Sequence, residues 1–135
     1  MWQRIQTLYL TLAVLLHGAL LAGLPLMTSA DSHVILARDN IIFFALILIS
    51  TMDALSAIFL YKTRKLQIIL GRIAIFTTMV AMGLILYKFL IIQKTEAHVT
   101  DIGFWMPLAF IVLVALANKA IMRDEEKVRS ADRIR

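Results

Sequence analysis

Residues 53–72, DALSAIFLYKTRKLQIILGR, close one long apolar run, pass through a short basic turn and open another apolar run. The turn, Tyr61 to Gln67, holds Lys62, Arg64 and Lys65 and no acid. Basic loops of this kind remain on the cytoplasmic side of a membrane, so the stretch reads as a cytoplasmic hairpin between two spanning helices. An antiparallel hairpin centred near Thr63 sets Asp53 opposite roughly residue 73. Arg72 then lies within a helical turn of it, and an Asp53–Arg72 ion pair is expected.

The composition supports a membrane reading. The chain has 135 residues, enough for one domain, and 61% of them are apolar. Soluble domains carry about 45–50%. The mean hydropathy is +0.84, and the apolar residues fall in runs of spanning length. The net charge of +5 gathers at the run ends and in the last segment. That placement suits anionic lipid headgroups at the cytoplasmic face better than a nucleic acid, which is not expected as a partner. The chain has no cysteine, which excludes a disulfide framework and thiol redox chemistry.

Outward from the hairpin, four helices are expected, at about 8–27, 41–61, 66–92 and 104–122, followed by a charged helical tail, 123–135. The first run, Leu8 to Met27, is 20 residues without a charge, or about 30 Å of helix. It exceeds the roughly 7–15 apolar residues of a signal peptide, so it reads as a retained span despite Thr28-Ser29-Ala30 behind it. Pro25 is tolerated near its end. Thr28 to Asn40 and Gln93 to Gly103 are polar links. Val34, Ile35 and Leu36 in the first link suit the membrane surface or a single helical turn. The last span opens on Phe104-Trp105-Met106-Pro107, an interfacial aromatic belt with a proline acceptable at a helix start. No Gly or Pro stops it before Arg135, and Glu125 and Arg129 have the favourable i,i+4 order.

Ten Lys and Arg residues (Arg4, Lys62, Arg64, Lys65, Lys119, Arg123, Lys127, Arg129, Arg133 and Arg135) fall on one side of this arrangement. The opposite links hold two, Arg38 and Lys94. The expected fold is therefore an all-α membrane protein, a four-helix antiparallel bundle with both termini cytoplasmic.

Asp53 is the clearest candidate for chemistry. A carboxylate near the centre of a spanning helix costs about 2.5–3.5 kcal/mol on insertion scales. It reads either as a proton or cation site or as a structural group paired with Arg72 or hydrogen-bonded to Ser50 or Ser56. His17 has a similar depth, and a His17–Asp53 relay is the sharper reading of it; a packed, hydrogen-bonded histidine is the plainer one. Haem would need a second histidine within the spans. His33 and His98 occupy the two outer links without a third ligand, so no metal is expected. Gly18 with Ala22, Ala19 with Gly23, Ser50 with Ala54 and Thr77 with Ala81 offer close-packing faces. There is no phosphate-binding Gly-rich loop and no nucleophile–base pair at useful spacing, so no cofactor is expected, and an enzyme acting on a lipid-soluble substrate is the least favoured reading.

Three stretches are distinctive: Gln3-Arg4-Ile5-Gln6-Thr7-Leu8-Tyr9-Leu10, Phe59 through Gln67, and Ala117-Asn118-Lys119-Ala120-Ile121 on through Val128-Arg129-Ser130-Ala131-Asp132-Arg133. In these the chain resembles a bacterial domain-of-unknown-function family of small four-helix integral membrane proteins. The resemblance implies a multi-pass protein of the bacterial cytoplasmic membrane and brings no catalytic residues with it. Two functional readings follow. One is an accessory subunit docking a membrane or cytoplasmic partner through Lys62, Arg64, Lys65, Arg123, Glu125, Arg129 and Arg133, with Ile121, Val128 and Ile134 as an apolar stripe. The other is a small oligomeric transporter or channel using Asp53 and His17.

Overall fold

The computed structural model describes residues 2–92 and 98–134. It contains four long helices: α1 (Trp2–Ala22), α2 (Ile41–Phe59), α3 (Arg64–Ile92) and α4 (Ile102–Arg133). Each is long and apolar enough to cross a membrane. The helices alternate in direction around a ring, with α1 packed on α2 and α4, and α3 packed on α2 and α4. Large apolar side chains cover the outside as well as the inside: Leu12, Leu15, Ile49, Met52, Phe76, Met79 and Val112 are all exposed. In a chain of this size, a helix apolar on all sides suits a membrane, where its outer face meets lipid.

The interior holds two apolar clusters. Leu10, Ala13, Ala54, Ala57, Ala74, Phe110, Val114 and Ala117 fill the half nearer the termini. Alanine supplies five of these eight residues, which lets the helix backbones approach closely. The other half is larger-grained, built from Leu20, Leu26, Met27, Phe43, Ile47, Ile85 and Phe104 around Ala37 and Ala81. Of the small-residue pairs, Ser50 and Ala54 are buried, whereas Gly18 is exposed and a Cβ there would touch nothing.

The links at the end opposite the termini differ from expectation. They form a three-stranded antiparallel sheet, β1 (Pro25–Ser29), β2 (Val34–Leu36) and β3 (His98–Thr100), in the order β2-β1-β3. Thr28 pairs with Val34 on one side and Val99 on the other. The first span accordingly ends at Ala22 and not Met27, because Gly23 takes φ +124 and Pro25 opens a strand. Both residues break a helix for known reasons: glycine reaches positive φ freely and proline has no N–H to donate. Val34 to Leu36 are thus a strand, neither a surface segment nor a helical turn. The hairpin turn uses Ser32 at φ 63, with the Ser29 N–H donating to the His33 carbonyl at 2.9 Å. Part of the second link, residues 93–97 with Lys94 and Glu96, lies outside the described residues.

The sheet is tied to α4 at its central strand. The Asp101 N–H donates to the Leu26 carbonyl at 3.0 Å, and the Thr28 hydroxyl donates to the Asp101 carboxylate. Asp101 stands at the N-cap of α4, yet its side chain serves the sheet and makes no cap hydrogen bond. α2 is capped conventionally, the Asn40 side chain accepting from the Ile42 N–H at 3.2 Å. α4 begins at Ile102, so Pro107 lies beyond the first turn, inside the helix. At the other end α4 runs without interruption through the charged segment to Arg133.

Candidate functional site

The bundle carries two levels of buried polar side chains. The middle level lies between the apolar clusters and contains His17 on α1, Ser50 and Thr51 on α2 and Thr78 on α3. Most of these groups are satisfied within their own helices. The Ser50 and Thr51 hydroxyls donate to the Ile47 carbonyl at 2.9 and 2.6 Å, and the Thr78 hydroxyl to the Ala74 carbonyl at 2.8 Å. Such back-bonding allows a hydroxyl to sit in an apolar interior without a partner on another helix.

His17 is fully buried and lies flat on Phe110 of α4, ring centroids 3.6 Å apart and planes 5° from parallel. Its Nδ1 is 3.2 Å from the Ser50 hydroxyl. Ser50 has one proton, already given to Ile47, so in this network His17 donates from Nδ1 and Ser50 accepts. The Nε2 atom is then a bare acceptor, and it is buried without a partner. His17 therefore joins three helices: α1 by its backbone, α2 by a hydrogen bond and α4 by stacking.

Asp53 has one carboxylate oxygen, Oδ2, buried without a partner. The expected pair with Arg72 does not form, whereas Arg64–Asp124 and Arg129–Glu125 do pair. Arg72 is exposed on α3, outside the interhelical space. A long side chain at the lipid-facing surface reaches the headgroups more cheaply than it enters a dry interior. Neither Ser50 nor Ser56 hydrogen-bonds Asp53, and His17 does not come within ion-pair distance of it. The three intramembrane candidates are thus separate features, with no relay among them.

The second polar level was not anticipated. Gln6 of α1, Gln67 of α3 and Asn118 of α4 are buried at the end that bears the termini. Asn118 occupies the space left by Gly71 of α3, where a Cβ would stand 2.3 Å from its Oδ1 and 2.7 Å from its Nδ2. Gln6 Nε2 and Asn118 Oδ1 have no partner. Single amides interrupting an apolar helical face were the available signal, at Gln67 between Leu66 and Ile68 and at Asn118 after Ala117.

The docking candidates cluster beyond this level. Lys62 and Lys65 are exposed, and Arg64 at the start of α3 pairs with Asp124 of α4 at 3.2 Å. Arg129 pairs with Glu125 at 3.3 Å, one turn apart on α4. Arg123 and Arg133 are exposed. The apolar stripe is shorter than expected, because Ile121 is buried in the bundle; Val128 and Ile134 remain exposed. Among the described residues no three His, Cys, Asp or Glu side chains gather to hold a metal, and the His98 side chain of the His33–His98 reading lies outside them.

Four antiparallel apolar helices with polar groups turned inward define a multi-pass membrane protein. Within that class, the chain belongs to the DUF4293 family, a domain of unknown function, whose family model matches residues 2–134. No curated protein and no solved structure gives a match.

Proposed function

We propose that the chain is a non-catalytic accessory subunit of the bacterial cytoplasmic membrane, docking a protein partner through its basic turn and charged tail. The observation carrying this reading is the continuity of α4. The helix leaves the bundle without a break and continues to Arg133, and the Arg64–Asp124 pair holds it against the start of α3. A tail serving only to set topology needs no fixed direction. Nor does a purely lipid-binding tail gain from Asp124, Glu125, Glu126 and Asp132. Mixed charges around exposed Val128 and Ile134 suit a protein surface. The excess of basic residues at this end supports its cytoplasmic placement.

The transporter reading has the unpaired atoms of His17 and Asp53 in its favour. Against it, side chains with essentially no exposure occur at every level of the bundle, from Leu10 and Phe110 to Leu20 and Phe43. The test is removal of residues 125–135, which retains Asp124 and the bundle. The shortened protein should insert normally and lose the proteins that co-purify with the full chain in mild detergent. Retention of every partner would refute the docking role.

A further inference from the structure

At the end of the bundle bearing the termini, α1 and α4 leave a groove of about 250 Å³ between them. Its walls are apolar, with Ile5 and Tyr9 one turn apart on α1, and Leu116 and Ala120 one turn apart on α4. Its rim is cationic, formed by Lys119 and Arg123, again one turn apart. Both are exposed, and among the described residues neither is paired with an acid. Of the nearby acids of α4, Asp124 is engaged by Arg64 and Glu125 by Arg129, and Glu126 does not line the groove. The apolar run of α4 ends at Ala117 and Lys119 is its first charge beyond Asn118, which sets the two charges at the depth where the hydrocarbon core gives way to headgroups.

We infer that this groove binds one anionic phospholipid, its phosphate held between Lys119 and Arg123 and an acyl chain lying against Tyr9 and Leu116. An apolar slot with a paired cationic rim matches an amphiphile and gives a soluble anion nothing to do with the apolar half. Arginine suits the phosphate oxygens because its guanidinium donates two parallel hydrogen bonds. A zwitterionic headgroup carries its own cation, which would be forced close to two others. A headgroup with no cation, such as a phosphatidylglycerol, avoids this. Basic pockets between spanning helices are a known mode of anionic headgroup recognition. The groove shares Arg123 with the proposed docking face, but residues 125–135, whose removal tests that role, contribute nothing to the groove, so the two readings fail separately.

The test uses the purified full chain in mild detergent, titrated with phosphatidylglycerol, phosphatidylcholine and inorganic phosphate, with bound lipid read by native mass spectrometry. One phosphatidylglycerol should bind roughly 10- to 30-fold more tightly than phosphatidylcholine, the preference two near-surface cations confer. Millimolar phosphate should not displace it. Lys119→Gln with Arg123→Gln should abolish the preference, whereas Lys62→Gln with Lys65→Gln, an equal loss of charge at the turn, should leave it intact. The lipid comparison on the unaltered chain needs no variant to fold. Equal binding of the two lipids, equal losses from the two double variants, or displacement by phosphate would each overturn the inference.

Discussion

Gly103→Ala tests the junction between sheet and bundle. Gly103 is the second residue of α4 and is buried against the start of β1. A Cβ there would lie 2.3 Å from the Pro25 carbonyl oxygen, 3.0 Å from its carbon and 3.1 Å from Leu20 Cδ1. The first contact is about 1 Å short of ordinary van der Waals separation, and its partner is backbone, which no rotamer change can move aside. Pro25 is further restrained by its ring and by the pairing of β1 with β2. Overpacking of this kind costs about 1–3 kcal/mol. Alanine also favours a helix by about 1 kcal/mol over glycine, which hides part of the penalty. Gly83→Ala in α3 supplies the reference, because Gly83 is exposed and a Cβ there meets nothing. Thermal unfolding of both variants in one detergent, followed by tryptophan fluorescence, should give Gly83→Ala a midpoint at or above that of the unaltered protein. Gly103→Ala should fall several degrees below Gly83→Ala, as expected for an overpacking cost of about 1–3 kcal/mol once the helical gain common to both variants cancels. Two variants agreeing within about 0.5 kcal/mol would mean that α4 does not press on β1, and the described packing of the sheet would be wrong.

Other substitutions probe the polar groups. In a double-mutant cycle, Asp53→Asn and Arg72→Gln should be additive within about 0.5 kcal/mol in thermal unfolding, since the two side chains do not meet; strong coupling would restore the ion pair. His17→Ala should lower stability by about 2–5 kcal/mol, because it removes a buried ring, its stacking on Phe110 and a hydrogen bond; a loss under 1 kcal/mol would count against its joining of three helices. Asp124→Asn should cost under about 1 kcal/mol in bundle stability, the Arg64–Asp124 pair being partly exposed, yet raise hydrogen exchange across residues 125–133. Unchanged exchange there would remove the pair as the restraint on the tail.

The spans were legible because the signal is length: an apolar run of about 20 residues has few structural options outside a membrane helix. The turn was legible for a related reason, since Lys62, Arg64 and Lys65 crowd between two such runs. The sheet was not. β2 and β3 are three residues each, too short for alternation to register, and Thr28 pairs with Val99 across 71 positions of sequence. Only the closed bundle brings them together. Gly23 and Pro25 did announce a break in the first span, but tolerance of both residues in membrane helices concealed it.

Counting along helices predicts a depth for each polar residue and says nothing of direction. Asp53 and Arg72 were placed at similar levels by counting from a turn, but an ion pair also requires both side chains to point into one interhelical space. Arg72 points outward. For an arginine in a spanning helix the outward choice is the cheaper one, because its stem crosses lipid and its head reaches water. The same distinction separates the two functional readings. A conducting path needs polar groups that face one another across helices, yet Ser50, Thr51 and Thr78 each turn their proton back to their own backbone. Among the described residues at that level His17 is the one that bridges helices, and it spends its ring on Phe110 and Ser50. At that level the polar interior thus ties α1 to α2 and α4 through His17. Lys62, Lys65, Lys119 and Arg123, paired with no acid among the described residues, stand exposed at the end where α4 leaves the bundle.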